Sequence, residues 1–341
     1  MTFDGSAYAR ATAHHRAFDS AALRGLRLRP GMRVLDLGCG VGDLTADVAS
    51  AVGTGGTAGA WVLGVDASTS SVRVASQRRR PGLAFVAARA QDVGHLLPSG
   101  SLDAVLSVAT LHWVPGHDQP VVLAGLADLL RPGGVLRADL GGGGQIAAVR
   151  TVLAPLATDA GAPQCPWFFP SALEMGRLVV QAGLAVDVVR TVRQRRSLPD
   201  AAAMTTWLVS QVLPAYLAHV HASGHATFTD EAVRRCREAT RRDDGTYDQD
   251  YVRIHVLAQK GSRGLRTAAS GPPGDYLVVA DALASTARML EVVAASDERK
   301  ALLSKRFHRA SATSRTDPEG ALETLGTLRE ELGDSDDRRG Q

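Results

Sequence analysis

The sequence predicts an α/β fold built on a doubly wound parallel sheet, and three observations carry that expectation. An apolar run, Val34-Leu35-Asp36-Leu37, meets Gly38-Cys39-Gly40-Val41-Gly42 and opens into a helical pattern, the order of a buried strand, a tight turn and a helix start. A second apolar run, Trp61-Val62-Leu63-Gly64-Val65-Asp66, also closes on a carboxylate. Further short apolar runs then alternate with helical stretches as far as residue 192, the pattern of strands joined by crossover helices.

The glycine turn is where a ligand belongs. Residues without Cβ let a ligand lie against the backbone, and the helix start adds unpaired N–H groups and a positive dipole. Spacing separates the ligand classes. A pyrophosphate-binding turn reads G-x-G-x-x-G, whereas here the glycines stand at 38, 40 and 42 and Asp43 takes the third place. Asp36 at the strand end would repel a pyrophosphate and attract a cation. S-adenosylmethionine, with an ammonium, a sulfonium and no phosphate, suits that charge. Asp66 ends the second strand, where a carboxylate accepts from ribose hydroxyls; its alternative role is to cap the helix that begins near Ser68.

In chain order, residues 5–28 read as a helix with Ala7, Ala11, Phe18, Ala21, Ala22 and Leu26 on one side, ended by Pro30-Gly31. Leu44–Val52 is the first crossover helix, Gly53–Gly59 a flexible connection, and Leu83–Ala87 the third strand. The fourth strand, Leu102–Val108, leads into Ala109-Thr110-Leu111-His112-Trp113-Val114. Ligands of open parallel sheets bind beyond the carboxyl ends of the strands, so His112 and Trp113 fall where an acceptor would meet the cofactor. Their alternative roles are structural: a hydrogen-bonding histidine and a core aromatic. Val121–Leu130 is the next helix, Arg131-Pro132-Gly133-Gly134 a turn, and Val135 opens the fifth strand. Gly141–Gly144 imply a hinge or a close approach of backbone to a ligand. Ser171 caps a helix to about Gln181, and Ala185–Val192 is the sixth strand. Residues 199–240 then break the alternation. Met204, Trp207, Leu208, Gln211, Leu213, Tyr216, Leu217 and Val220 form a helical stripe interrupted near Pro214, and Tyr251–Ala258 is the last strand.

Residues 34–45, the His112-Trp113 pair and the Leu130-Arg131-Pro132-Gly133-Gly134 turn resemble the class I S-adenosylmethionine-dependent methyltransferases, trans-aconitate methyltransferases among them, over about residues 5–260. The resemblance implies a Rossmann-like seven-stranded sheet whose last strand is antiparallel, with 199–240 as a helical lid. It implies S-adenosyl-L-methionine as cofactor, held by Asp36, Gly38, Cys39, Gly40, Asp66, Ala67, Ala90, Gln91 and Val108, with Tyr8 and His14 closing over it from the N-terminal helix. The family's usual aspartate for adenine is replaced by Arg89, which leaves Asp92 or the backbone of Ala90 and Gln91.

On the acceptor side the resemblance points to His112, Trp113, Trp167, Phe168 and Tyr216, with Phe169 beside Trp167 and Phe168 as a further wall of an apolar pocket, and to methyl transfer onto the carboxylate of a small or medium-sized organic acid. Such an acceptor, with a pKa of about 4, is already ionised and needs no base. An amine, phenol or carbon acceptor of secondary metabolism would need a proton removed, and His112 is the one placed candidate. A reading from another class is a cofactor-binding regulatory or scaffolding subunit without turnover.

At 341 residues the chain exceeds one ordinary domain. It divides into 1–260, the methyltransferase domain, 261–275, a linker, and 276–341, a helical tail. Tyr276–Ser296 carries an apolar face, and Asp317-Pro318-Glu319 is a cap, proline and acid ahead of Leu322, Leu325, Leu328 and Leu332. These helices are too short for a core of their own. They should dock on the catalytic domain, pair across a homodimer or engage a partner. A net charge of +3 is too small for a nucleic-acid footprint. Three scattered cysteines without a C-x-x-C pair argue against a zinc site or a disulfide framework and point to the cytoplasm. No metal is expected, and no apolar run is long enough to span a membrane.

Overall fold

In the computed structural model, which describes residues 23, 25–261, 286, 297–313 and 317–337, the apolar runs of the first half are strands with helices between them. β1 (Arg33–Leu37) passes through the glycine turn into α1 (Asp43–Ala51), and β2 (Trp61–Asp66) into α2 (Thr69–Ala75). β3 (Leu83–Ala87), β4 (Leu102–Val108), α3 (Gln119–Leu129) and β5 (Leu130–Gly141) follow. α4 (Ala147–Asp159), α5 (Ala172–Gln181) and β6 (Leu184–Leu198) lead to an insertion of α6 (Ala201–Trp207), α7 (Leu213–Leu217) and α8 (His225–Thr240), and β7 (Tyr247–Lys260) completes the sheet. α9 (Asp297–Thr313) and α10 (Pro318–Asp337) lie beyond it.

The strand order is β3-β2-β1-β4-β5-β7-β6. β1 to β5 pair in parallel, and β7 runs antiparallel to both β5 and β6. The order reverses between β1 and β4, so their carboxyl ends flank the crevice where ligands of such sheets bind. Successive residues of β1 are buried on opposite faces. Val34 packs with the α1 side and Leu35 with the α3 and α5 side, which is why the run is continuously apolar instead of alternating.

Several boundaries differ from the sequence reading. β6 runs on to Leu198, paired with Tyr247, where β7 starts. That hairpin leaves the core, and the exposed Arg193–Arg195 segment gives no apolar signal of a strand. β5 begins at Leu130, opposite Leu102, ahead of a bulge in the pairing. The insertion holds a π-helical turn at Leu208–Val212 just before Pro214. A proline has no N–H for the carbonyl four residues back, which loosens the helix there. The N-terminal helix expected over 5–28 lies outside the described residues, apart from a few at its end.

Of the three placements open to the tail, the structure shows docking. Ala321, Leu322 and Leu325 of α10 join the core cluster that holds Val179, Leu184 and Val186. The N–H of Leu173 donates to Glu319 Oε1 at 3.3 Å, and Arg329 Nη1 lies 3.7 Å from Asp187 Oδ1. Leu303 of α9 packs against Leu328 and Leu332, and Arg306 pairs with Glu331 at 2.7 Å. Asp317 caps α10, taking the N–H of Gly320 at 2.9 Å. Among the described residues no helix is long and apolar enough to cross a membrane.

Candidate functional site

The glycine turn after β1 is closed by hydrogen bonds from its neighbour. The N–H groups of Gly38 and Cys39 donate to the carbonyl of Val65 at 2.6 and 3.0 Å. Gly38 has φ +80°, and a Cβ there would overlap the side chain of Thr110, just past β4. The turn and the β4 loop are therefore in direct contact. Asp66 bridges outward from β2: Oδ2 accepts from Gly40 N at 2.9 Å and Oδ1 from Ser68 N at 2.8 Å. Each oxygen retains a lone pair. Burial raises the Asp66 pKa above the ordinary carboxylate value, against the pull of the two N–H groups. Asp36 is 2% exposed and accepts from Thr45 Oγ1 at 2.6 Å, so it braces the turn against α1. Burial, Asp36 and Asp66 together push the Cys39 thiol far up. Two carboxylates at the ends of adjacent strands favour a cationic ligand.

The other residues expected around this ligand lie along the same edge. Ala67 follows Asp66 and is exposed, and Val108 ends β4 half-buried. Ala90 and Gln91 open a 3-10 turn after β3. Gln91 Nε2 is committed to Asp118 Oδ2 at 2.8 Å. Arg89 and Asp92 are exposed. Tyr8 and His14 lie outside the described residues.

Beyond β4 the chain turns through Ala109, at φ +54°, into the short helix that carries His112 and Trp113. These three residues wall a cleft of about 70 Å³ together with Gln145, Ile146, Trp167 and Phe169. Trp207, Gln211 and Val212 close it from the insertion, and Tyr251 and Arg253 from β7. His112 is 8% exposed. Its Nδ1 accepts from Gly141 N at 3.2 Å, which puts the proton of the neutral ring on Nε2. Its ring centroid lies 5.8 Å from that of Trp113 and 5.7 Å from that of Phe169. Trp167 stacks on Phe169 at 5.6 Å, and the Arg150 guanidinium sits 5.3 Å over the Phe169 ring. A wider open groove of about 830 Å³ between α6 and α8 shares no lining residue with this cleft.

Two of the expected acceptor-side residues sit elsewhere. Phe168 turns toward Gly116, and Phe169 takes the place in the wall beside Trp167, because successive residues of an extended segment point to opposite sides. Tyr216 is fully buried behind Trp167, with ring centroids 5.5 Å apart, and its hydroxyl donates to the Gln164 carbonyl at 3.2 Å. It supports the wall without lining it. The Gly141–Gly144 run does make a close approach, but to protein: a Cβ at Gly141 would crowd Phe169, and one at Gly142 would meet Ile254.

Sequence reasoning did not single out Arg253. Asp139 near the end of β5 lies opposite His255 of β7. Its carboxylate takes Arg253 Nε at 2.7 Å, Arg253 Nη2, and His255 Nε2 at 2.8 Å. Burial alone would raise this carboxyl. Arg253 and His255 outweigh it and hold Asp139 well below the usual range. The available signal was a pair of basic residues, 253 and 255, alternating with the buried Ile254 and Val256.

Residues 34–134 match the family model described as a methyltransferase domain. A trans-aconitate 2-methyltransferase from Deinococcus radiodurans is 41% identical over 108 residues, 32% of this chain and 37% of that protein. One from Rhizobium leguminosarum bv. trifolii is 30% identical over 244 residues, covering 67% of this chain and 88% of the relative. The crystal structure of the YcgJ protein from Bacillus subtilis superposes with a TM-score of 0.50 at 16% identity, over 73% of this chain and 100% of that one. That last likeness is one of fold.

Proposed function

Because the chain belongs to the class I S-adenosylmethionine-dependent methyltransferases, we propose that it methylates a carboxylate of a small organic acid, releasing a methyl ester. The observation that carries this reading is the state of His112, the one histidine among the residues lining the cleft. Its Nδ1 accepts from the Gly141 N–H, so the lone pair of the neutral ring is already taken and the ring is no base. A carboxylate acceptor asks for none. The two relatives above are named for trans-aconitate, itself a carboxylic acid.

The residues of the crevice suit the cofactor. Gly38 admits backbone contact where a side chain would not fit, and the carboxylates carry the charge opposite to a sulfonium and an ammonium. Asp66 would accept from the ribose hydroxyls, Cys39 and Gly40 would line its backbone side, and the main chain at Ala90 and Gln91 would meet the adenine. When bound, S-adenosylmethionine supplies a methyl group already activated toward a nucleophile. The acceptor oxygen forms a bond to the methyl carbon as the carbon–sulfur bond breaks, the electron pair stays on sulfur, and no proton moves. The His112 ring would help position the acceptor against the cofactor, while Trp113, Trp167 and Phe169 exclude water. Alignment of this kind can supply several kcal/mol, with about 7–11 as the ceiling seen in intramolecular models.

The cleft, at about 70 Å³, is below the ~300–1,000 Å³ of most ligand sites. The insertion at 199–240 is therefore assigned as a lid that opens for substrate, residues 1–260 as the catalytic domain, and α9 with α10 as a docked support. Free Cys39, Cys165 and Cys236 agree with a reducing cytoplasmic setting.

Two results follow. Asp66→Asn keeps the shape but removes the charge, so the dissociation constant for S-adenosylmethionine should rise roughly 10–100-fold, measured by calorimetric titration. In the wild type that affinity should weaken as pH falls through the raised Asp66 pKa, and the variant should lack this dependence. His112→Ala should lower the rate of methyl transfer by about tenfold through lost orientation, with no recovery at high pH. Recovery at high pH would mark His112 as a base and favour an acceptor that carries a proton. The reading itself is tested by transfer of labelled methyl to a panel of organic acids, amines and phenols; labelled esters are expected, and amine or phenol products alone would contradict it.

A further inference from the structure

Resting on the reading that an organic acid is the acceptor, we propose that Trp207 and Arg253 hold a second anionic group of that acceptor, apart from the carboxylate that receives the methyl. Trp207 walls the cleft from α6 and is 6% exposed, yet its Nε1–H is buried with no acceptor among the described residues. Buried donors are ordinarily paired. Arg253 faces the cleft from β7. Its Nε and Nη2 are committed to Asp139, while Nη1 donates to no acceptor among the described residues. Two positions before Tyr251 on the same face of β7, Gln249 is 2% exposed, with neither end of its amide paired among the described residues. The strand face that supplies Arg253 thus has further uncommitted hydrogen-bonding capacity.

The chemistry says which group the pair suits. Ester formation discharges the reacting carboxylate, so a guanidinium bound there would stabilise the substrate more than the transition state and slow the reaction. A guanidinium on a carboxylate that stays ionised stabilises both equally and fixes the distance to the reacting end. Asp139 holds the Arg253 fork in one orientation, and a planar fork is selective for carboxylate geometry. Trp207 adds a directional donor from the lid, so lid closure and recognition of this second anion are coupled.

The test is calorimetric titration of the full chain, saturated with S-adenosylhomocysteine, using fumarate, trans-aconitate and monomethyl fumarate. The wild type should bind a diacid or triacid at least roughly tenfold more tightly than the monoester, and Trp207→Phe and Arg253→Lys should each reduce that preference to about threefold or less. Trp207→Phe keeps an aromatic ring in the wall and decides the matter if Arg253→Lys fails to fold by circular dichroism. Equal affinity for acid and monoester, no binding of any of the three, or a preference that survives Trp207→Phe would overturn the proposal. Methyl transfer measured on the same samples separates the two readings. Preferential binding without transfer removes the carboxylate acceptor and leaves the anchor; transfer without preference does the reverse.

Discussion

Gly38→Ala should weaken S-adenosylmethionine binding at least about 100-fold, a loss near ~2.7 kcal/mol. Two costs coincide at this position. The residue sits at φ +80°, where a side chain costs about 1–2 kcal/mol. The new Cβ would also overlap Thr110 at its Oγ1, Cγ2 and Cβ, and Thr110 is tied to the Val108 carbonyl at 3.0 Å. Something must move. If the turn moves, the bonds from Gly38 to Val65 and from Gly40 to Asp66 are displaced with it, and the backbone surface offered to the cofactor is lost. Gly56→Ala is the control. No atom lies within 4 Å of a Cβ at that position, and its stability and affinity should stay within about 0.5 kcal/mol of wild type. A Gly38→Ala protein that binds the cofactor normally would show that the turn is not its cradle.

Asp139→Asn should destabilise the protein by about 3–5 kcal/mol at neutral pH, the usual cost of breaking one side of a buried ion pair. Arg253, with its side chain 11% exposed, would lose its counter-charge, and His255, 15% exposed, its carboxylate acceptor. The pH dependence has a definite sign. Asp139 is depressed in the folded state, so its stabilisation is complete above the unfolded carboxylate pKa of about 4 and is lost as pH falls through the lower folded value. Urea unfolding should therefore show a gap between wild type and variant that is constant near neutrality and narrows from about pH 5 downward. A variant as stable as wild type at pH 7 would mean that solvent, not the carboxylate, balances the Arg253 charge. The effect would reach the acceptor site, because Asp139 fixes the arginine that walls the cleft.

The sequence revealed most where one local pattern decides one local structure. β1, β2 and β4 are buried by layers on both faces, so their apolar runs end within a residue of the strands themselves. Ser171 caps α5 as its position ahead of an apolar helical pattern suggested, taking the N–H of Glu174 at 3.1 Å. What stayed hidden depends on pairing across the chain. The outer half of the β6–β7 hairpin has little core contact, and its charged residues read as loop. Phe168 and Phe169 are adjacent and chemically equal, so only the backbone path decides which one reaches the cleft. Arg253 acquires its meaning from Asp139, 114 residues away, through a strand register that no periodicity announces. The glycine turn was legible because its chemistry is carried by backbone, whereas the acceptor wall is assembled from five separate segments.

The central claim is that a positively charged methyl donor occupies the crevice above β1 and β2. Its most direct measurement is calorimetric titration of the full chain with S-adenosylmethionine and, separately, with NAD. Saturable single-site binding of the methyl donor, with none of the dinucleotide, is the expected result. Binding of NAD with no heat from S-adenosylmethionine would contradict it.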